Sequence, residues 1–387
     1  MIKNNVVIAG VGESDIGKVP ELSGLGLNAQ AAKRAVEDAG LEMKDIDGLL
    51  TAYSMTEPYF MMGSVLAEYL GIKPTFCASL TVGGGTPGAA LHHAAMAIAS
   101  GQAKTVLITA GENRATGQSR DDAVKALTQV GHPYFENPYG PLIPSFYAMI
   151  ANRYMHEYGT TREQMAAVAV RARDHAIRHP SSPQSKHLTI DDVLSSKPIS
   201  TPLNILDCCL ISDAAGALVV TSADRAKDLK GKPAYLHGIG ESHTHEHMTM
   251  APSLTEFGTE ISGKAAYEMS GLSPSDIDFA ELYDCFSIVP IIEAEELGLA
   301  KRGEGGALYA SGETAIEGSI PINTHGGLLS YAQAGASGGM HGIVEAVRQL
   351  RGNEGARQVK KHDIALVHNE GGILSSHCTM ILGQHPL

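Results

Sequence analysis

The sequence predicts an α/β fold that is built from two similar halves. Ala31–Asp47 and Ala265–Asp278 both end in Gly-Leu, three further residues and Asp-Ile-Asp, and each leads into an apolar run typical of a strand. Residues 86–101 and 337–352 agree with this pairing, because both are small-residue helical patterns that precede a strand pattern. Strand and helix patterns alternate in each half, so we expect parallel sheets covered by helices. The repeated order of elements indicates a duplicated unit.

The first half is predicted over residues 1–114 and 206–228, and the second half over residues 233–387. In each half a glycine (Gly40 and Gly271) is placed to cap the end of an early helix. Residues 115–205 break the alternation with a Pro/Tyr-rich stretch, a polar helix and a Ser/Pro-rich loop. We expect this excursion to cap a cleft, and we expect the first half to resume with a buried strand at SDAAGALVVTS.

Composition and charge exclude several classes of protein. The 387 residues are 43% hydrophobic and 18% charged, as in a globular chain, and the net charge is −13. A nucleic-acid binder needs a basic face, so no nucleic-acid partner is expected. No run reaches the roughly 18 apolar residues of a membrane span, and MIKNNVVIAG is typical of a first strand rather than a signal peptide. Five cysteines without a CxxC pair favour a cytoplasmic location over a disulfide framework or a zinc site.

Three patterns that could bind a cofactor or a metal have simpler interpretations. Gly10-Val-Gly12 follows the first strand, but Asp15 stands where a dinucleotide fingerprint needs its third glycine, so a tight turn is expected. The alternating histidines of HTHEH (243–247) specify no further ligand, which favours a polar loop near a cleft over a metal site. The paired cysteines of ILDCC (205–209) lie in an apolar run and are expected to be packing residues.

Four polar or glycine-rich loops are expected to lie at one edge of the duplicated unit. Gly83–Gly85 and Asn323–Gly327 precede helices, whereas Glu281–Phe286 and His368–Gly372 follow strands. Because ligands of such folds bind beyond the carboxyl ends of strands, these loops predict one shared pocket. The candidate catalytic side chains are Tyr283, Cys285, His325, Tyr331 and His368. Backbone N–H groups at Gly84, Glu370, Gly371 and Gly372 are candidates to hold a negatively charged oxygen.

Several motifs, spread over essentially the whole chain, resemble those of the thiolase superfamily, most closely the sterol-carrier-protein type. Tyr283–Ser287 (YDCFS) resembles the HDCF motif of that group. ILDCC with SDAAGALVV, and YMHEYGTTREQMAAVA, resemble its loop domain and return strand, and NTHGGLLS resembles the segment before its GHP motif. The resemblance implies two βαβαβαββ halves in five α-β-α-β-α layers, with residues 115–205 as a helical loop domain on the acyl-CoA side. It also implies a homodimer, or a tetramer, that acts on acyl-coenzyme A.

The chain departs from this family at the residues that carry its covalent chemistry. The nucleophilic cysteine of the family opens the buried helix of the first half, and Gly84 occupies that position here. Cys77 lies earlier in the chain and is expected to be a packing residue. Tyr331-Ala332-Gln333 replaces the GHP motif, and His368 occupies the position of the second cysteine of the family. Because thioester exchange through an acyl-enzyme needs a thiolate, ordinary thiolysis becomes doubtful.

One branch of the superfamily, the aldolases of steroid side-chain degradation, is similar to this chain at these positions. That branch resembles the chain in having tyrosine at the HDCF histidine position (Tyr283) and after NTHGGLLS (Tyr331). The resemblance implies retro-aldol cleavage of a 3-hydroxyacyl-CoA and a small partner that carries an OB-fold and a zinc ribbon. Tyr283 and Tyr331 would transfer protons with help from His325 or His368, and Cys285 is a further acid/base candidate. Coenzyme A would enter as part of the substrate, and neither a cofactor nor a metal is expected.

Three other functions stay open on the sequence. A thiolase-type acetyl-CoA acetyltransferase would use Cys285, or a cysteine of a partner subunit, as its nucleophile. A non-catalytic acyl-CoA or lipid-binding protein would use the tyrosines only to line a pocket. A scaffold subunit of a multi-enzyme complex would act only together with its partner. Fold resemblance does not rank these functions, since function belongs to the site.

Overall fold

The structure is a computed structural model that describes residues 2–387, with Arg120 described by its backbone alone. Within these residues the strands are β1 Val6–Glu13, β2 Gly48–Ala52, β3 Phe76–Leu80, β4 Thr105–Asn113, β5 Pro198–Ser200, β6 Leu203–Asn204, β7 Asp213–Ser222, β8 Ala234–His243, β9 Phe279–Glu281, β10 Ile364–Gly371 and β11 Ser376–Gly383. The α-helices are α1 Gly24–Asp38, α2 Met62–Leu70, α3 Thr86–Ala99, α4 Arg120–Leu127, α5 Ile143–Tyr158, α6 Arg162–Ala176, α7 Ile190–Ser195, α8 Ala223–Ala226, α9 Thr259–Ser270, α10 Val289–Glu296, α11 Gly305–Ser311, α12 Gly327–Ser330 and α13 Gly338–Leu350. Across residues 2–387, no helix is both long enough and apolar enough to cross a membrane.

The main sheet has two halves that mirror each other. Its strand order is β3-β2-β4-β7-β1-β8-β11-β10-β9, and the two halves meet where β1 pairs with β8. In this order β1, β2, β4 and β7 correspond to β8, β9, β10 and β11. The place equivalent to β3 is taken by Pro321–Asn323, whose backbone exchanges hydrogen bonds with Ala280 of β9. The duplication predicted from the sequence is therefore confirmed.

Each half also contains one antiparallel strand. In the first half β2 is parallel to β3 and β4, but β7 runs antiparallel to both β4 and β1. In the second half β9 and β10 are parallel, whereas β11 is antiparallel to β10 and β8. Only Gly372–Ser375 separate β10 from β11, and so short a connection can join only antiparallel neighbours. The sheet is mixed: the parallel pairing predicted from the alternation is present between β2, β3 and β4 and between β9 and β10, whereas β7 and β11 depart from it.

Helices α3 and α13 form a central layer between the two halves of the sheet. Leu91 of α3 and Val344 of α13 share a buried cluster with Ile108 of β4 and Val367 of β10. A second cluster packs α1 and α2 against the other face of the first half, and a third packs α9 and α10 against the other face of the second half. The five α-β-α-β-α layers that the resemblance implied are confirmed.

Gly10 and Gly12 lie inside β1, so the tight turn predicted at this pair is wrong. A Cβ atom on Gly10 would overlap the backbone oxygen of Ala35 in α1. A Cβ atom on Gly12 would likewise overlap the backbone of Ala31 and Ala35. The two glycines therefore allow α1 to lie directly on the strand. The glycines predicted to cap α1 and α9 behave as expected, since Gly40 and Gly271 have φ angles of 72° and 75°.

Strand β3 lies at one edge of the sheet. Cys77 and Ser79 are exposed on it, while Phe76, Ala78 and Leu80 are half-buried. The Sγ atom of Cys77 nevertheless faces Gly63 of α2, where an added Cβ atom would approach it to 3.0 Å, so the packing role predicted for Cys77 stays a prediction. Cys208 and Cys209 are half-buried, in keeping with the packing role expected for them.

Residues 115–205 contain α4–α7 and the short β5–β6 hairpin, and they pack against the second half. Tyr147 and Tyr154 of α5 belong to the buried cluster that covers the second half of the sheet. Arg162 of α6 forms an ion pair with Asp207 at 2.6 Å, where the chain leaves the excursion. This packing brings α5 close to the end of β10. The boundaries of the three predicted segments stay predictions.

Candidate active site

The ends of β9 and β10 and the first turns of α13 enclose a small buried cavity. Three of the predicted residues, Tyr283, His325 and His368, line it. The other lining residues are Glu281, Leu282, Leu328, Gly338, Gly339, Gly342 and Asn369. The cavity volume is about 10 Å³, close to the space that one water molecule needs. The structure therefore brings these three predicted side chains together.

The hydroxyl of Tyr283 lies against Gly84, just before α3. A Cβ atom on Gly84 would overlap this hydroxyl and would lie 2.6 Å from the carbonyl oxygen of Glu370. Gln333 Nε2 donates a hydrogen bond to Tyr283 Oη over 3.2 Å. Gly338, at the start of α13, lies beside the same hydroxyl. The tyrosine hydroxyl thus fills the position predicted for the missing nucleophile, and any side chain there would have to displace it.

Tyr283 is a neutral phenol at pH 7. Burial raises the pKa of Tyr283 well above its ordinary value, and the nearby Cys285 and Glu370 raise it further. The hydrogen bond from Gln333 has the opposite effect on the pKa, because it favours the phenolate, but it does not reverse the shift. The side chain therefore holds a proton that it can donate to a ligand.

His325 is buried beside the cavity and lies next to a carboxyl group. Its Nδ1 atom lies 2.9 Å from Glu281 Oε2. Burial alone would lower the pKa of His325, but the carboxylates of Glu281, Glu345 and Asp284 raise it overall. An imidazolium at this position can stabilise negative charge that develops on a ligand.

The pKa of His368 is shifted in the opposite direction to that of His325. Its Nδ1 atom lies 2.8 Å from Thr379 Oγ1, and its Nε2 atom lies 3.2 Å from His377 Nδ1. Burial and the neighbouring His377 hold the pKa of His368 well below its ordinary value. Glu293 Oε1 lies 3.7 Å from His368 Nε2. The role of His368 in assisting a tyrosine stays a prediction.

Tyr331 does not line the cavity itself, and its ring instead lies edge-on to His325 with the ring centroids 5.4 Å apart. Its hydroxyl donates a hydrogen bond to Glu13 Oε2 over 3.2 Å. Arg348 also donates to Glu13 over 2.5 Å, which fixes this carboxylate away from the cavity. The Tyr331 hydroxyl bonds to Glu13 because a buried carboxylate is a strong hydrogen-bond acceptor. Gln333, two residues later, contacts Tyr283 instead.

Cys285 lies beside Glu370 and is absent from the cavity lining. Its Sγ atom is 3.8 Å from Glu370 Oε2. Burial raises the pKa of the Cys285 thiol well above its ordinary value, and the Glu370 carboxylate raises it further. Because the thiolate is the nucleophilic form of cysteine, this environment disfavours an acyl-enzyme on Cys285. Its predicted acid/base role stays a prediction.

The two backbone segments predicted to hold a negatively charged oxygen lie side by side. A Cβ atom on Gly83 would be 2.8 Å from the backbone nitrogen of Gly372, and one on Gly85 would be 3.6 Å from that of Gly371. Both segments adjoin Gly84 and the start of α3, where the helix dipole favours negative charge. Their role in binding an oxyanion stays a prediction.

Three further side chains near Tyr283 and Glu370 are not predicted from the sequence. Gln333 lies within the segment that replaces the GHP motif, and that departure is the signal that could have identified it. Glu293 Oε2 accepts the backbone N–H of Tyr283 over 2.9 Å. Tyr147 of α5 donates to the carboxyl group of Glu370, with distances of 3.1 and 3.2 Å to its two oxygens. Glu293 and Tyr147 come from helices whose positions only tertiary packing determines.

The alternating histidines of the HTHEH segment contact three different groups. His243 Nδ1 lies 3.1 Å from Ser376 Oγ, His245 Nε2 lies 3.3 Å from the carbonyl oxygen of Ile373, and His247 Nδ1 lies 3.2 Å from the carbonyl oxygen of Val130. These contacts favour the predicted polar loop over a shared metal.

Metal-like spacing occurs at one other place among residues 2–387. His179, Glu345 and Glu354 bring their ligand atoms within 4.8 Å of one another. Arg357 forms ion pairs with both carboxylates, at 2.7 Å for Glu345. The guanidinium therefore supplies the positive charge that this group would otherwise seek from a cation.

Two family models match the chain. The thiolase N-terminal domain matches residues 6–191, and the model of thiolase C-terminal domain-like sequences matches residues 240–384. The chain belongs to the thiolase family. The predicted superfamily resemblance is therefore confirmed, and the Gly84–Tyr283 contact is a departure within a thiolase-family fold.

Relatives of this thiolase-family chain have more than one activity. A 17-hydroxy-3-oxo-4-pregnene-20-carboxyl-CoA lyase of Mycobacterium tuberculosis is 37% identical over 91% of this chain and 93% of its own. An acetyl-CoA acetyltransferase of Methanothermobacter thermautotrophicus is 33% identical over 95% of this chain and 96% of its own. The solved structure of an Ltp2-ChsH2(DUF35) aldolase matches with a TM-score of 0.86 and 35% identity, over 99% of this chain and 98% of that one. The predicted resemblance to the aldolase branch is confirmed.

Proposed function

We propose that this thiolase-family chain is an acyl-CoA aldolase that cleaves a carbon–carbon bond of a 3-hydroxyacyl-CoA. The observation that carries the proposal is the Tyr283 hydroxyl in the position where a thiolase needs its cysteine. Without a nucleophile at Gly84, the site has proton donors and charge-stabilising groups but no group there to form an acyl-enzyme. The steroid-CoA lyase and the aldolase among the relatives support the same reaction class.

The reaction moves one proton within the substrate. A base removes the proton of the C3 hydroxyl, the C2–C3 bond breaks, and its electron pair passes into the enolate of the shorter thioester. Protonation of C2 then completes a ketone or aldehyde and an acyl-CoA. Tyr283 is protonated and is the acid proposed for C2. His325 and the N–H groups around Gly84 and Gly371 would hold the enolate oxygen.

The ligands and partners of the chain follow from the same proposal. Coenzyme A is part of the substrate, so no further cofactor is required. A small OB-fold and zinc-ribbon partner is proposed because the aldolase relative was solved with a DUF35 protein. A homodimer is proposed because Phe60 and Met61, which are 104% and 60% exposed, immediately precede α2, whose Gly63 donates a hydrogen bond to Ser79 of edge strand β3. A cytoplasmic location is proposed on the five free cysteines.

Tyr283→Phe tests the proposal directly. Loss of the acidic hydroxyl should lower kcat about 10²- to 10⁴-fold, the usual range for a general acid or base. Acyl-CoA binding should persist, because the ring and its packing remain. Turnover is measured by chromatography of the shorter acyl-CoA. Binding is measured by calorimetry with that acyl-CoA product.

The matched control is Tyr267→Phe. Tyr267 lies on α9, in the outer layer of the second half. Its Oη atom donates a hydrogen bond to the carbonyl oxygen of Leu297 over 3.1 Å. Its loss should leave kcat unchanged. Equal turnover of Tyr283→Phe and the parent chain would reject the assignment of Tyr283.

An acetyltransferase is the second candidate, favoured by the acetyl-CoA acetyltransferase relative. It would need a cysteine as nucleophile, and Cys285 is the cysteine nearest to Tyr283 in sequence. Intact-protein mass spectrometry after exposure to a reactive CoA derivative separates the two functions. A stoichiometric mass gain that maps to Cys285 would favour the acetyltransferase, whereas an aldolase should gain no mass there; labelling of the exposed Cys77 serves as the background.

A further inference from the structure

The carboxyl group of Glu370 lies in a buried pocket of proton donors. Glu370 is 1% exposed, and its Oε1 atom accepts the backbone N–H of Leu374 over 2.6 Å. Tyr147 Oη donates to the same carboxyl group over 3.1 Å, and the Cys285 thiol lies 3.8 Å from Oε2. Two of these three neighbours carry an ionisable proton. The sequence predicts a function only for the backbone N–H of Glu370. No function has so far been assigned to its carboxyl group.

The groups that face Glu370 contain no balancing cation. They are Tyr147 on α5, Tyr283 and Cys285 after β9, and Glu293 on α10. No lysine, arginine or histidine forms an ion pair with Glu370 in the described part of the chain. Burial without a cation raises the pKa of Glu370 to about 7, although Leu374, Tyr147 and Cys285 stabilise the carboxylate. The group therefore exchanges its proton near neutral pH.

We propose that Glu370 is the positioning residue that stores the substrate proton, acting through Cys285. The inference rests on the proposed aldolase function and names the base that the reaction still lacks. In the first step the C3 O–H bond breaks and an O–H bond forms on Tyr283, which lines the cavity, while the phenol proton passes to Cys285 and the thiol proton passes to Glu370. The C2–C3 electron pair becomes the enolate.

The second step restores both groups. Tyr283 gives its proton to C2, Cys285 returns a proton to Tyr283, and Glu370 returns its proton to Cys285. One proton leaves the substrate hydroxyl and one arrives at C2, so no external acid or base is consumed. Glu370 starts and ends the cycle as a carboxylate.

The test is the pH profile of Glu370→Gln. Because the base must be unprotonated, kcat of the parent enzyme should fall as pH drops through about 7. Glutamine keeps the size and the accepting oxygen but cannot hold a proton, so kcat at pH 8 should fall about 100-fold with KM within about 2-fold. The acid limb of the profile should disappear. An acid limb retained in Glu370→Gln would overturn the proposal.

Glu112→Gln is the matched control. Burial also raises the pKa of Glu112 to about 7, and this carboxyl group accepts the backbone N–H of Met55 over 2.9 Å. Its substitution should leave the acid limb in place. A limb that disappears in Glu112→Gln instead would assign the ionisation to Glu112 and reject Glu370.

Tyr147→Phe provides a second test that does not depend on how Glu370→Gln folds. Loss of this donor destabilises the Glu370 carboxylate, so the acid limb should move up by about one pH unit. An unmoved limb would contradict the proposal. Failure of the parent chain to cleave any 3-hydroxyacyl-CoA would reject the aldolase function itself, which separates the two conclusions.

Discussion

Tyr283 and Gly84 share one small volume at the start of α3. The hydroxyl of Tyr283 occupies the space that a side chain at position 84 would need, and Gln333 holds it there with a hydrogen bond. Burial keeps the phenol protonated. Because Gly84 has no side chain, the Tyr283 hydroxyl fits at this position and can act as the acid of the site.

Gly84→Ala should remove activity through this contact. The new methyl group would displace the Tyr283 hydroxyl and approach the Glu370 backbone, so kcat should fall at least about 100-fold. The free energy of unfolding should fall by about 1–3 kcal/mol, as for other overpacked sites. Urea unfolding and turnover assays measure the two effects.

Gly26→Ala on α1 is the control for this substitution. A Cβ atom there would make ordinary contact with Leu22 at 3.4 Å. Alanine also favours a helix more than glycine does, so stability should stay equal or rise by up to about 1 kcal/mol. Unchanged activity in Gly84→Ala would show that a side chain at position 84 and the Tyr283 hydroxyl do not compete for space.

The sequence identified Tyr283, His325 and His368 as neighbours but did not reveal that the Tyr331 hydroxyl bonds to Glu13. Residues at corresponding loops of a duplicated fold converge for topological reasons, which local patterns can reveal. The direction of the Tyr331 phenol depends on Glu13, which lies 318 positions away in the chain. No local pattern specifies such a contact.

At the level of elements, Asp207 fastens the excursion to the segment after β9. Asp207 accepts hydrogen bonds from Arg162 of α6, from Ser287 Oγ over 2.7 Å, and from the backbone N–H of Asn204 over 2.8 Å. The same excursion supplies Tyr147 to Glu370. Its docking therefore affects the candidate active site.

Asp207→Asn should loosen α6 and its neighbours. An amide cannot balance the Arg162 charge or accept all these hydrogen bonds, so unfolding free energy should fall by about 2–4 kcal/mol. Hydrogen exchange should quicken in α6 and α7 more than in β10 and β11. The control is Asp224→Asn, whose side chain is 92% exposed and whose loss should not move the urea midpoint. Uniform exchange rates in Asp207→Asn would contradict this role.

Element patterns were predictable where periodicity and capping glycines agree. The two glycine-ended helices and the buried strand β7 follow from these signals. The antiparallel direction of β7 and β11 does not follow from these signals, because strand direction depends on how connections cross the sheet. The glycines inside β1 were mistaken for a turn because helix contact and turn geometry both favour glycine.

At the scale of the whole molecule, a buried charge cluster joins the two halves. Glu13 ends β1 in the first half, while Arg348 and His341 lie on α13 in the second, at 2.5 and 2.6 Å from its carboxylate. At the other end of β1, strands β1 and β8 are paired through two residue pairs alone. Side-chain charge therefore supplements a short backbone junction.

Glu13→Gln should destabilise the molecule in a pH-dependent way. Burial alone would raise the pKa of Glu13, but Arg348 and His341 hold it well below its ordinary value. A lowered folded-state pKa stabilises the protein above the unfolded-state pKa of about 4.3, and this contribution is lost as pH falls through the folded-state value. The variant should lose about 3 kcal/mol at pH 7, with the difference shrinking below about pH 4.

Urea unfolding at pH 7 and at pH 3 measures this difference. Glu37→Gln is the control, since Glu37 is 62% exposed and pairs only loosely with Lys33 at 3.9 Å. Its midpoint should match that of the parent chain at both pH values. A pH-independent loss in Glu13→Gln would mean that packing rather than charge holds the halves together.

The shared volume at Gly84 and Tyr283 also restricts how such a chain could change its chemistry by mutation. Cysteine introduced at position 84 while Tyr283 remains would force a sulfur and a phenol into one space. A smaller residue at 283 would have to come first, leaving a temporary void that solvent could occupy. The effect of either substitution thus depends on the other, and the order of mutation decides how stable the intermediate protein is.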